Sequence, residues 1–198
     1  MKRKLNKRQK LCRNLLLILV FALLYLLLTS FWGYLTADQA HAASEMALNY
    51  GPSQIVQVVK DGNYRYYLGK YDRWFSCHPV YRTITGWRFG SQSLCDEIQP
   101  DKDINFGWMI SSDGGRVWGV VNNPEIVSVE AEFSNGDNQV FLRQNQLYHD
   151  MFLLLYSPAA PVESNPEGGS PEGIYDDYTL KAVHGYDKDG ALVYTAER

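Results

Sequence analysis

The chain has 198 residues, enough for one domain together with a membrane anchor. Its formal net charge of −3 hides two unlike parts, because residues 1–13 carry seven basic side chains and no acidic one, whereas 22 acidic residues stand against 12 basic ones from Asp38 onward. No nucleic-acid partner is expected, because phosphate binding needs a clustered basic surface.

Residues 15–35 form an uninterrupted apolar segment that reads LLLILVFALLYLLLTSFWGYL and contains no charged side chain. In a helix, each residue adds about 1.5 Å, so this segment reaches roughly the 30 Å of a bilayer core. The basic tail in front of it, residues 1–14, follows the positive-inside rule. The sequence therefore predicts one transmembrane helix, with the N-terminus in the cytoplasm and the rest of the chain outside.

The apolar segment can be a retained anchor or a cleaved signal sequence. Ala40-His41-Ala42 has the small-x-small pattern of a signal peptidase site, and cleavage after Ala42 would secrete the domain. The segment is longer than the roughly 7 to 15 residues of a typical signal, which favours retention. Residues 36–50 are then expected to form a juxtamembrane linker, with a short helix or coil over residues 44–50.

Residues 51–198 are predicted to form one β-rich domain. Runs rich in β-branched and aromatic residues alternate with turn residues such as Asp61-Gly62-Asn63. The strand over residues 126–133 alternates most clearly, with Val129 and Phe133 on one face and Glu130 and Glu132 on the other. The predicted strands cover residues 54–59, 64–71, 126–133, 140–143, 147–156, 178–183 and 191–195.

Strands at intervals of about 8 to 12 residues, without a convincing helical period, favour an all-β fold. We expect an antiparallel sandwich or a barrel-like domain, and an immunoglobulin-like arrangement belongs to this class. Residues 157–177 are rich in proline, glycine and acidic residues. They are predicted to form a mobile or functional surface loop.

Three cysteines are present, and two of them lie in the part expected outside the membrane. Cys77 and Cys95 are predicted to form a disulfide, since this is the compartment in which disulfides persist. Closing a loop of this size would stabilise the fold by about 3 kcal/mol. The alternative is a pair of buried free thiols. Cys12 precedes the apolar segment and is expected to be a cytoplasmic thiol.

Residues 111–118, SSDGGRVW, resemble the Asp-box motif S-x-D-x-G-x-T-W of sialidases and other β proteins, and depart from it at Val117. The resemblance implies a hairpin turn in which Asp113 binds the turn backbone, Gly115 occupies the motif glycine and Trp118 packs beneath. In those families the motif is structural. The sequence lacks the repeated copies and the arginine triad of sialidases, so only the hairpin is transferred.

No metal or cofactor is predicted. Cys77 and His78 supply adjacent ligands without a second pair at zinc spacing. Adjacent strand residues also point to opposite faces, which disfavours a catalytic Cys–His pair. Paired acids such as Asp101 with Asp103, or Asp176 with Asp177, would suit a hydrolase, but acids in such loops are usually solvated turn formers.

The most unusual local composition is a concentration of tyrosine, tryptophan and phenylalanine between residues 64 and 89, interleaved with arginines. In a β domain most such side chains belong to the core. Trp74 and Trp87 are predicted to stay exposed, where they would contact a sugar ring or a protein partner.

Residues 117–133 and the C-terminal hairpin resemble parts of small membrane-anchored extracytoplasmic proteins of bacteria. The sequence thus predicts a non-enzymatic, membrane-tethered protein that binds another protein of the cell envelope. A cell-wall or glycan-binding module that uses the exposed aromatic residues is the alternative. A hydrolase of the envelope is the least supported interpretation.

Overall fold

A computed structural model describes residues 7–31, 33–90, 94–111, 114–134, 139–156 and 178–197. The predicted loop over residues 157–177 lies outside these ranges. The helices are α1 (Lys7–Phe31) and α2 (Ala37–Ala47), and the strands are β1 (Gln54–Asp61), β2 (Tyr64–Tyr71), β3 (Trp74–Thr83), β4 (Gly86–Phe89), β5 (Leu94–Glu97), β6 (Ile104–Ser111), β7 (Gly114–Val121), β8 (Ser128–Ser134), β9 (Gln139–Gln144), β10 (Met151–Tyr156), β11 (Thr179–Tyr186) and β12 (Leu192–Glu197). The prediction of an all-β domain with antiparallel sheets is confirmed.

The N-terminal sheet has the order β1-β2-β3-β4, and β5 pairs with the first half of β3. The predicted hairpin joins β1 to β2, and Gly62 at its turn has a φ of 52°, a left-handed conformation that glycine adopts without steric cost. β4 pairs with the second half of β3. The sheet therefore presents one long strand, β3, at its centre.

The central sheet has the order β10-β7-β6 and is covered on both faces. Trp118 and Val120 of β7 pack with Leu68 and Phe75 of the N-terminal sheet. The residues that alternate with these two along β7 point to the opposite face. Of them, Val117 and Val121 pack against the sheet that contains β8 and β11. The fold thus has three stacked layers of strands, where the sequence predicted a sandwich or barrel.

The C-terminal sheet has the order β12-β11-β8-β9 and ends in the predicted hairpin. Val129, Ala131 and Phe133 of β8 are buried against the central sheet, as the alternation indicated. The strand predicted over residues 147–156 begins only at Met151, because Tyr148 and Met151 exchange two backbone hydrogen bonds, of 2.7 and 2.9 Å, and close a tight turn.

In the part of the chain described above, no helix is both long enough and apolar enough to cross a bilayer. The transmembrane helix predicted over residues 15–35 is thus not confirmed.

Residues 36–50, predicted as a linker, contain the helix α2. Thr36 caps it, since its Oγ1 accepts a hydrogen bond of 3.2 Å from the Gln39 backbone N–H, while the Thr36 backbone N–H donates one to Gln39 Oε1. The buried face of α2, including Ala37 and Ala40, packs on the N-terminal sheet with Tyr67 and Val80. The small alanine side chains allow this close approach, so the segment belongs to the folded domain.

The predicted disulfide between Cys77 and Cys95 is wrong, because both are free thiols. In the β3–β5 register, Cys95 is opposite Ser76 while Cys77 is opposite Leu94. Neighbouring residues of a strand point to opposite faces, so the two thiols lie on different sides of the sheet. Cys77 is fully buried between the sheets, and this burial raises the pKa of its thiol to about 12.

Candidate functional site

A cleft of about 500 Å³ opens where the three sheets meet. Phe75 and Ile104 line its apolar interior, and Phe106 and Tyr194 complete the apolar wall. A cavity of this size matches the range of about 300 to 1,000 Å³ that small-molecule sites occupy. The cleft is accordingly a candidate for a binding site.

Asp96 of β5 points into this cleft, opposite Phe75 in the β3–β5 register. Its carboxylate lies over Gly107 of β6, where a Cβ atom would overlap Asp96 Oδ2. Burial raises the pKa of Asp96 above its ordinary value. Within the described residues, this carboxylate has no hydrogen-bond or ion-pair partner.

Among the described residues, three other charged side chains line the cleft, namely Glu97, Lys102 and Glu197. Glu97 is neutralised by Arg73, whose Nε lies 3.2 Å from Glu97 Oε1. The remaining pair, Lys102 and Glu197, is exposed and carries opposite charges. Among the described residues that line the cleft, Asp96 is therefore the charged group that is half-buried and has no ion-pair partner.

The loop that forms one wall of the cleft is fixed by two asparagine side chains. Asn105, only 4 % exposed, accepts a hydrogen bond of 2.8 Å from the Gln99 amide and donates one of 3.1 Å to the Gln99 carbonyl. Asn122 donates to the carbonyls of Gln99 and Lys102 at 2.9 and 2.7 Å. These bonds hold the wall in place, so the cleft is formed before any ligand arrives.

A second polar cluster lies beneath α2, on the opposite face of the N-terminal sheet. Ser44 Oγ is 2.9 Å from His78 Nδ1 and donates a hydrogen bond of 2.7 Å to the His41 carbonyl. His41 stacks on Tyr67 with 4.3 Å between ring centroids, and the Tyr67 hydroxyl donates to Asp38 at 2.6 Å. This network links α2 to β2 and β3.

Ser44 and His78 have the residue types of a hydrolase pair, but the geometry does not support catalysis. Ser44 is 1 % exposed and His78 is 0 % exposed, so no substrate reaches them. Because the Ser44 hydroxyl donates to the His41 carbonyl, His78 Nδ1 acts as the donor to Ser44, which leaves its buried Nε2 unpartnered among the described atoms. Burial lowers the pKa of His78 to about 3, so its ring is neutral.

The structure does not bring the predicted aromatic residues Trp74 and Trp87 together. Trp74 begins β3 whereas Trp87 pairs with Arg82 near the end of β3, eight residues further along, or about 26 Å at 3.3 Å per residue. Trp87 packs with the core beneath α2, and the guanidinium of Arg65 lies 4.6 Å from its ring centroid. Both tryptophans are half-buried.

The residues on either side of the Asp-box turn pair as antiparallel strands β6 and β7, with Ser111 opposite Gly114. Gly115 is buried and pairs with Ile110, and Trp118 is fully buried. Asp113 lies outside the described residues. The described end of the motif, from Gly115 to Trp118, therefore belongs to the core.

Of the acid pairs considered for a hydrolase, the described one, Asp101 with Asp103, forms no catalytic site. Asp103 accepts a hydrogen bond of 3.0 Å from Asn123, and Asp101 is exposed. Asp176 and Asp177 lie outside the described residues. Within the described ranges no three His, Cys, Asp or Glu side chains are grouped as a metal site requires.

No known family model matches this sequence, and no curated protein or solved structure is significantly similar to it. The cleft and its charges are thus the available basis for a function. Sequence reasoning missed Asp96, because nothing in the pattern around β5 distinguishes it from the other acidic residues. It also missed His41 and His78, which are 37 residues apart in the chain and meet through the docking of α2.

Proposed function

We propose that this chain is a membrane-anchored, extracytoplasmic binding protein of the bacterial cell envelope, without enzymatic activity, and that the cleft is its binding site. The observation that carries the proposal is the exposure of α1. Its large apolar side chains from Leu15 to Tyr25 are 42 to 69 % exposed. A helix that is apolar on all sides is stable only in apolar surroundings, and a bilayer supplies them.

The orientation of the chain is supported by its charges. Seven basic residues before Asn14, directly in front of the apolar segment, suit the cytoplasmic side of a membrane. The contacts of α2 support a retained anchor. Cleavage after Ala42 would remove Ala40, which is fully buried, and His41, which stacks on Tyr67.

The short connection between α1 and the domain limits which partners are in reach. Tyr34 exchanges backbone hydrogen bonds of 2.7 and 2.8 Å with Trp87, so the chain joins the edge of β4 three residues after α1 ends. A site held this close to the bilayer favours a partner in the same membrane, because tethering raises the effective concentration. A glycan ligand remains the second candidate, with the separated Trp74 and Trp87 as weaker support.

In-cell photocrosslinking tests the binding function. A photoreactive residue at Lys102, on the rim of the cleft, is expected to crosslink one membrane protein of the envelope. The same residue at Lys188, in the β11–β12 turn away from the cleft, serves as the control and should give no such product. Retention of the chain on purified cell wall, lost in Trp74→Ala or Trp87→Ala, would instead favour the glycan-binding function. Equal crosslinking from both positions would contradict the proposed site.

A further inference from the structure

We propose that the cleft recognises an organic cation, an alkylammonium or guanidinium group on an aliphatic stem, and that the lysine or arginine side chain of a protein segment supplies it. This inference rests on the proposed binding function and names the chemistry of its ligand. It is carried by the position of Asp96, by the apolar walls around it and by the charges at the rim.

Asp96 supplies the negative charge that a cation in the cleft would meet. Its carboxylate is half-buried above Gly107, and within the described residues nothing neutralises it. A carboxylate that is partly withdrawn from water is stabilised by an opposite charge within about 4 to 6 Å. A ligand cation would supply this charge, and the charge-assisted hydrogen bond is stronger where water is excluded.

The walls of the cleft suit the stem of such a ligand. Phe106, which is partly exposed, offers apolar contact to a chain of methylene groups, which lysine and arginine often bury while their charged ends remain polar. Phe75 and Ile104, each 1 % exposed, form the buried side of the cleft. Tyr194 adds an aromatic ring, against which a guanidinium or ammonium can pack. A bare metal ion is a poor fit, because within the described ranges no three His, Cys, Asp or Glu side chains are grouped around such an ion.

The rim charges are consistent with a cation that enters along one side. Glu197 lies at the end of β12 and adds a second negative charge, whereas Glu97 is already bound to Arg73. Lys102 lies on the wall formed by the β5–β6 loop. A basic side chain would therefore approach on the β12 side, away from Lys102.

Calorimetry on the full-length chain in detergent micelles tests the inference with blocked pentapeptides that differ only at the centre. Gly-Gly-Lys-Gly-Gly and Gly-Gly-Arg-Gly-Gly are expected to bind, and the norleucine peptide, which keeps the stem without the charge, should bind at least about tenfold more weakly. Asp96→Asn is expected to remove this preference. Asp189→Asn, which makes the same change at an exposed turn, should leave it intact.

Equal binding of the lysine and norleucine peptides, or an unchanged preference in Asp96→Asn, would overturn the inference. Spermidine, a free polyamine, is measured for comparison. If spermidine binds more tightly than the peptides, the proposal that a protein side chain supplies the cation is wrong. A crosslink from Lys102 that persists in Asp96→Asn would leave the proposed function standing and refute the cation. Lysine-peptide binding without any envelope crosslink would refute the proposed function alone.

Discussion

Replacing Gly119 with alanine is expected to destabilise the domain by more than about 3 kcal/mol, a large part of the 5 to 15 kcal/mol that usually separates folded from unfolded states. Gly119 lies in β7 opposite Phe152 of β10. A Cβ atom there would overlap the Asn105 carbonyl and come within 2.6 Å of the Phe152 ring. A backbone oxygen on one side and a buried ring on the other leave no direction for relief.

Urea unfolding of the full-length chain in detergent, followed by tryptophan fluorescence, measures this loss, and the buried Trp118 is a suitable reporter. Gly62→Ala is the matched control. At Gly62 nothing lies within 4 Å of an added Cβ, and the φ of 52° alone is expected to cost about 1 kcal/mol. If the two variants lose the same free energy of unfolding, the packing assigned to the central sheet is wrong.

Acidification from pH 7 to pH 5 is expected to reduce the free energy of unfolding by about 2 kcal/mol through His78 alone. Burial lowers the pKa of this histidine from 6.5 to about 3 in the folded protein. The unfolded chain therefore binds the proton first, and stability falls as the pH drops below about 6.5 and continues to fall toward pH 3. Burial also lowers the pKa of His41, which adds to the loss.

The charged groups that act on the imidazoles of His41 and His78 come from α2 and from β7 of the central sheet. Glu45 and Asp38 favour protonation of His41, whereas His41 and Arg116 both disfavour protonation of His78. Tyr50 and Tyr67 stack on His78 and His41 with neutral rings, since burial raises the pKa of each hydroxyl. Because the carboxylates partly offset the effect of burial at His41 but not at His78, His78 is the main acid-sensitive group of this cluster.

His78→Asn isolates that contribution, because the shorter amide retains a nitrogen near the position of Nδ1 and can still donate to Ser44. Urea unfolding at pH 7 and pH 5 should show a pH dependence smaller by about 2 kcal/mol than in the unmodified chain. His149→Asn is the control, since His149 is exposed and its φ of 59° is one that asparagine tolerates. An unaltered pH dependence in His78→Asn would show that His78 is not buried as described.

The outer strands could be predicted from the sequence because one of their faces meets water. Between Val129 and Phe133, β8 alternates buried with partly exposed residues, and the turn at Gly62 identifies the hairpin between β1 and β2. β3 and β7 give no such alternation, since each has packed side chains on both faces. For this reason the three-layer arrangement could not be read from periodicity.

The helix α2 and the state of the cysteines depend on contacts between distant residues. The buried face of α2 includes His41, Ser44 and Glu45, which an apolar helical period does not reveal. Glu45 is satisfied by Ser53, whose amide donates to it at 3.0 Å. The register of β5 against β3 separates Cys77 from Cys95, and sequence spacing carries no information on that register.

Thiol labelling in intact cells tests most directly the claim that the apolar segment places the domain outside the membrane. Cys12 lies before this segment, and Lys188→Cys introduces a thiol in the exposed turn of the terminal hairpin. A membrane-impermeant maleimide is expected to label the thiol at position 188 in intact cells and Cys12 only after permeabilisation. Labelling of Cys12 in intact cells, or of position 188 only in permeabilised ones, would contradict the account.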